Sequence, residues 1–193
     1  MALLTVATGA LLASAGAPDW GIVTHVLVGA ALVAAGASAL NQWLERDVDA
    51  RMQRTRDRPL PAGRLQPNDV LVLGIALSTG GVVYLAVALP HTLAAGFAAL
   101  TVLTYVLVYT PLKRRTPLNT LVGAISGALL PVIGWTAVRG SLTAEIGALF
   151  LVLFLWQVPH FLAIACIYRV DYGRAGLCML PAIDPEGRMI GRQ

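Results

Sequence analysis

Five apolar segments, near 21–44, 69–89, 92–110, 118–138 and 142–168, are each long enough to cross about 30 Å of hydrocarbon. Lipid offers the backbone no hydrogen-bonding partner, so each segment must satisfy its own amides, which confines such a chain to transmembrane α-helices. A water-soluble core wrapped in a charged surface is excluded by supply, because 57% of the 193 residues are hydrophobic and only 12% are charged. The expected fold class is therefore all-α: a polytopic transmembrane helical bundle, with 1–193 forming one domain embedded in a lipid bilayer. A sixth apolar stretch, 2–15, is too short to span alone. Ala13-Ser14-Ala15 would fit a signal-peptide cleavage site, but no Lys or Arg precedes the apolar run. We expect a transmembrane helix whose beginning is missing.

Charge placement orients the bundle. Of 14 Lys and Arg residues, six lie in 45–68, three are Lys113, Arg114 and Arg115, and four follow residue 168. Only Arg139 falls in an alternate loop. By the positive-inside rule the three basic loops share one face, cytoplasmic or its organellar equivalent. Trp20 and Trp43 bracket the second helix as interfacial rings would. The joints at Pro90-His91 and Arg139–Ser141 are short enough to make antiparallel neighbours. Small residues crowd the spans at 29–39, 96–100 and 123–129 and allow close helix packing. Cys166 and Cys178 have no metal-ligand spacing and receive no role.

The densest charge, Asn41–Arg58 (NQWLERDVDARMQRTRDR), breaks straight out of an apolar run. No Gly or Pro occurs between Ala37 and Arg58, so the second helix can continue past the interface. Asn41, Glu45 and Asp49 then recur every fourth residue, drifting about 80° around the axis and rising about 12 Å. One stripe thus carries an amide and two carboxylates. Hard divalent cations prefer oxygen ligands, and Mg²⁺ commonly takes one or two carboxylates and completes its shell with substrate phosphates. Asp47, about 240° from Asn41 on an ideal helix, is expected either to face away from this stripe or to belong to a frayed helix end. The competing expectation is a solvated helix end laced by local ion pairs such as Asp47 with Arg51.

Arg54 and Arg58, four apart, precede Pro59, Pro61 and Gly63, which fix a turn near the carboxylates; guanidinium groups take phosphate oxygens bidentately. Positive-inside bias alone would also account for them. Lys113-Arg114-Arg115, followed by Thr116-Pro117-Leu118-Asn119, and Arg169–Arg174, containing Asp171, lie on the same face. Three polar loops converge on one mouth. The last span holds Trp156, Pro159 and His160, where Pro bends the helix and His160 is a candidate ligand or proton-transfer group, or a packing residue. His25 and His91 lie toward the opposite face. The polar end, Asp184–Gln193, suggests that the chain stops early.

Together, Asn41–Arg64, Tyr109–Asn119 (YTPLKRRTPLN) and Trp156–Pro181 resemble the UbiA-type intramembrane prenyltransferases, and within them the branch that farnesylates protohaem IX. The superfamily's first motif, an Asn with acidic residues four and eight positions later, maps onto Asn41, Glu45 and Asp49. Its second motif often has two Asp residues four apart, whereas here Asp171 is followed by Ala175, which also resembles the haem branch. The resemblance implies about nine helices around a central cavity, against five complete spans and one short one here, so the chain looks like a fragment lacking its last three helices.

What the resemblance implies for chemistry is transfer of a farnesyl group from farnesyl diphosphate to a vinyl group of haem B, with water completing haem O. Glu45, Asp49 and Asp171, with Asn41, are then expected to hold Mg²⁺ against the diphosphate. Arg54, Arg58, Lys113 and Arg114 would neutralise the leaving group, and His160 would orient or ligate haem. Rival expectations are prenylation of an aromatic quinone precursor, an inactive fragment, or a channel with a carboxylate vestibule; no mid-span charge marks an ion path. No nucleic-acid partner is implied. The absence of an Arg- and Ser-rich leader favours the bacterial inner membrane over the mitochondrial one.

Overall fold

A computed structural model of the chain describes residues 1–184, and all regular structure within them is helical. Helix α1 is Ala2–Ala13, α2 Trp20–Asp49 and α3 Pro67–Ala88. Helix α4, Leu93–Val102, runs on through a π-helical turn, Leu103–Tyr109, into the short α5, Thr110–Leu112. Helices α6 (Asn119–Arg139) and α7 (Ala144–Ile167) follow, and the shorter α8 (Arg169–Ala175) and α9 (Leu180–Ile183) close the described chain. Five of these units are long and apolar enough to cross a membrane, so the described chain is a multi-pass integral membrane bundle. Of the basic residues counted above, Arg188 and Arg192 lie outside the described residues, as does most of the polar end.

Helix α2 starts where Asp19 caps it, its Oδ1 accepting from the backbone amides of Gly21 and Ile22 at 2.8 and 3.2 Å. At 1.5 Å per residue its 30 residues extend about 45 Å, roughly 15 Å more than the hydrocarbon is thick. The excess carries Asn41, Glu45 and Asp49 to and beyond the basic face. The helix does not continue to Arg58, although nothing in the local sequence forbids it. After Asp49 the chain breaks into successive turns, and Met52 is buried in one apolar cluster with Ala165, Tyr172 and Leu177.

Helix α6 is the central post, packed by α1, α4 and α7, while α2 pairs with α3. The short α1 reaches α6 at bare backbone: a Cβ on Gly134 would overlap the carbonyl oxygen of Val6, and one on Gly9 that of Pro131. Close approach of this kind is how helices associate in lipid, where burial of apolar surface supplies little drive. Arg139 fastens the far end of the same pair by donating Nε to the Ala13 carbonyl at 2.6 Å, which satisfies an open C-terminal carbonyl of α1. On that side of the bundle His25 meets the Tyr84 hydroxyl at 2.7 Å, and His91 packs beneath Gly140.

Candidate functional site

The stripe on α2 is buried, not solvated: Asn41, Glu45 and Asp49 are 6%, 5% and 1% exposed. Asn41 donates Nδ2 to Glu45 Oε2 and to Thr110 Oγ1, both at 3.0 Å. Lys113 Nζ donates to the same Glu45 oxygen at 3.0 Å and lies 4.6 Å from the centre of the Tyr109 ring. One helical turn further out, Arg58 Nη1 donates to Asp49 Oδ2 at 2.7 Å. The Thr55 hydroxyl bonds the Asp49 carbonyl at 3.0 Å and holds the turn that brings Arg58 back. Asp47 stays outside, its side chain 69% exposed and 3.8 Å from Arg46.

The π-helical turn explains why Thr110 can join this cluster. Both the Thr110 amide and its hydroxyl donate to the Tyr105 carbonyl, the hydroxyl at 2.9 Å, which leaves the oxygen's lone pairs free to accept from Asn41. Pro111, which follows, has no amide to continue an α-helical ladder. Widened turns of this type frequently sit at functional sites. In the sequence Tyr109 and Thr110 belong to the segment Tyr109–Asn119 that carries the family resemblance, but nothing there gives either a role of its own or reveals the π turn.

The third segment closes the rim. Arg54 lies 4.6 Å over the Tyr168 ring and donates to the Tyr172 hydroxyl at 3.5 Å, while its backbone amide donates to Asp171 Oδ2 at 3.4 Å. Gly176, at φ +71°, turns the chain off α8, and the amide of Cys178 then donates to the Lys113 carbonyl at 2.7 Å. Arg114 donates to the Leu44 carbonyl at 3.1 Å, so it braces the loop and reaches no carboxylate among the described residues. Asp171 is thus on the same face as Asp49 and touches the loop that follows it. Arg54, Tyr168, Asp171 and Arg174 line an open cleft of about 530 Å³.

His160 stands apart from this cluster. It is exposed on α7 and stacks on Trp156 at 4.7 Å, on a side of the helix different from the one Phe161 turns inward. Beneath the rim a largely apolar cavity of about 380 Å³ runs between α2, α4 and α6, from Ile133 and Ala2 up to Tyr105 and Tyr109. A greasy chamber therefore ends directly under the carboxylates and Lys113.

A family model described as the UbiA prenyltransferase family matches residues 2–190. The chain belongs to the UbiA prenyltransferase family. It is 51% identical over 169 residues to the protoheme IX farnesyltransferase of Solibacter usitatus, covering 88% of this chain and 58% of that protein. With the protoheme IX farnesyltransferase of Opitutus terrae it shares 44% over 192 residues, 98% of this chain and 65% of that one. It therefore spans less than two thirds of either relative's length. A UbiA homolog from Aeropyrum pernix K1 has the same fold, with a TM-score of 0.74 at 20% identity over 94% of this chain and 68% of that one.

UbiA prenyltransferases use divalent metal ions, and the residues here fit one. Glu45 and Asp49 each give one oxygen to a cation, while Glu45 Oε1 and Asp49 Oδ1 are buried with no hydrogen-bond partner among the described residues. Buried carboxylate oxygens of that kind are costly unless a cation shares them. No three His, Cys, Asp or Glu side chains group closely enough among the described residues to hold a metal by themselves. A metal held at this rim would need its remaining ligands from water or from a substrate's oxygens, as Mg²⁺ sites on phosphate-transfer enzymes do.

Proposed function

We propose that the full-length protein transfers a farnesyl group from farnesyl diphosphate to a vinyl group of protohaem IX, yielding haem O. The observation that carries this reading is the 44% identity with a protein named protoheme IX farnesyltransferase across 98% of the chain, which takes in all three motif segments. The geometry supports it chemically: a phosphate-seeking rim of buried carboxylates and cations caps an apolar cavity of about 380 Å³.

In this reading the isoprenoid tail lies in the apolar cavity and the diphosphate at the rim. Glu45 and Asp49, with Asn41, would hold Mg²⁺ from α2, and Asp171 would meet the metal from the facing segment through water or diphosphate oxygens; the ion would neutralise charge on the diphosphate and make it a better leaving group. Lys113 and Arg58, already aimed at this point by their carboxylates, share phosphate oxygens; Arg54 and Arg114 add positive charge from the loops. Stabilisation of developing negative charge lowers the barrier to breaking the allylic C–O bond. The apolar walls keep water from the allylic cation until the vinyl carbon reacts. His160, stacked on Trp156, presents an accessible imidazole to haem approaching along α7. The membrane is the bacterial inner membrane, as the bacterial relatives suggest.

The test is haem O formation by membranes carrying the full-length gene product, with and without Asp49→Asn or Asp171→Asn. Each substitution is expected to lower turnover by about 100-fold or more. Near-normal turnover in both variants defeats the metal assignment. Prenylation of an aromatic acceptor with no farnesylated haem replaces the acceptor.

A further inference from the structure

Asn119, the first residue of α6, is fully buried. Its Nδ2 donates to the carbonyl oxygens of Thr116 and Cys178, at 2.6 and 3.0 Å. Both partners are pure acceptors, so the nitrogen must face them and Oδ1 must face the other way. Oδ1 is buried and meets no donor among the described residues. A buried carbonyl left in that condition is costly, which favours a small ligand bearing an O–H or N–H.

Space for such a ligand exists. Asn119 lines a cavity of about 150 Å³ whose other walls include Thr120, Ala165 and Tyr172. Tyr109 and Phe161 line both this cavity and the larger apolar one, so the two adjoin. A bound water needs two to four polar partners and about 30 Å³ of liquid volume, and this chamber supplies room together with the Asn119 carbonyl and hydroxyl-bearing neighbours. It is a small alcove with polar groups in its wall, beside the larger apolar cavity.

We propose that Asn119 is a positioning residue that holds the water consumed in the last step of the reaction. The inference rests on the farnesyl-transfer reading above. The vinyl π pair forms a C–C bond to C1 of the farnesyl group as the C–O bond to diphosphate breaks, leaving a cation on the vinyl carbon next to the porphyrin. The water oxygen donates a lone pair to that carbon and forms the C–O bond, and its proton leaves to the released diphosphate. Asn119 accepts from the water's O–H and aims the opposite lone pair at the cation; the amide takes no proton. Where no water is held, the cation instead loses a proton from the adjacent methylene, and the product is an alkene lighter than haem O by one water.

The experiment measures, by mass, the ratio of alkene to hydroxylated product made by the full-length gene product from protohaem IX and farnesyl diphosphate. Asn119→Leu removes the acceptor, and Ala165→Val fills the alcove while leaving Asn119 in place. Each is expected to raise the alkene share by about tenfold, the effect of losing one well-placed hydrogen bond. The ratio does not depend on how much folded protein reaches the membrane. Wild-type ratios in both variants overturn the role of Asn119 alone. Loss of all farnesylated haem in both variants, with farnesyl diphosphate binding intact, also overturns it, because placing water cannot be needed for the alkylation. Absence of any farnesylated haem from the unsubstituted protein overturns the reading of the function instead.

Discussion

Replacing Lys113 by Met would leave the Glu45 carboxylate buried without its cation. The pair is 3.0 Å apart with side chains 11% and 6% exposed, so solvent screens it poorly. At that distance and an effective dielectric near 20, the Coulomb attraction is about 5–6 kcal/mol, most of which offsets the cost of desolvating both groups. Met keeps the apolar stem against Tyr109, so the loss isolates the charge. Removing one partner of a buried pair typically costs about 3–5 kcal/mol, because the other charge stays behind. For about 150–250 residues that corresponds to a Tm lower by about 6–20 °C, with the lower end expected for a longer chain. The assay is thermal unfolding of the full-length gene product in detergent micelles, alongside the double variant Lys113→Met with Glu45→Gln. The double variant carries no stranded charge and its amide can still accept from Asn41, so it is expected to regain most of the loss. A single variant within about 1 kcal/mol of the parent, or a double variant no more stable than the single, would refute the reasoning.

Two further outcomes follow from the packing. Gly134→Ala places a methyl against the Val6 carbonyl and is expected to cost about 1–3 kcal/mol in unfolding experiments, whereas Gly80→Ala, where an added Cβ meets nothing, is expected to be neutral or slightly stabilising. Arg54→Lys keeps the charge and the backbone bond to Asp171 but loses the planar stack over Tyr168 and Tyr172, about 0.5–2 kcal/mol. Its measurable sign is faster protease cleavage within 50–66, and unchanged cleavage would argue that the stack does not hold the loop.

The length and hydropathy of the apolar runs, the basic asymmetry of the loops and the four-residue spacing of Asn41, Glu45 and Asp49 were legible in the sequence. Each depends on local periodicity and on the thickness of a bilayer, which act on consecutive residues. What the stripe does there was a tertiary decision. Lys113 reaches Glu45 across 68 positions, and Asn41 reaches Thr110 across 69. No local pattern shows that a lysine in a basic loop turns inward to a buried carboxylate while its neighbour Arg114 braces a backbone carbonyl. Nor does it show that His160 faces outward beside Trp156 or that the Asn119 carbonyl meets no donor among the described residues. Hydrophobicity sorts residues between lipid and water over a whole helix, but only the crossing of specific helices settles which polar atoms are paired and which are left to meet a ligand.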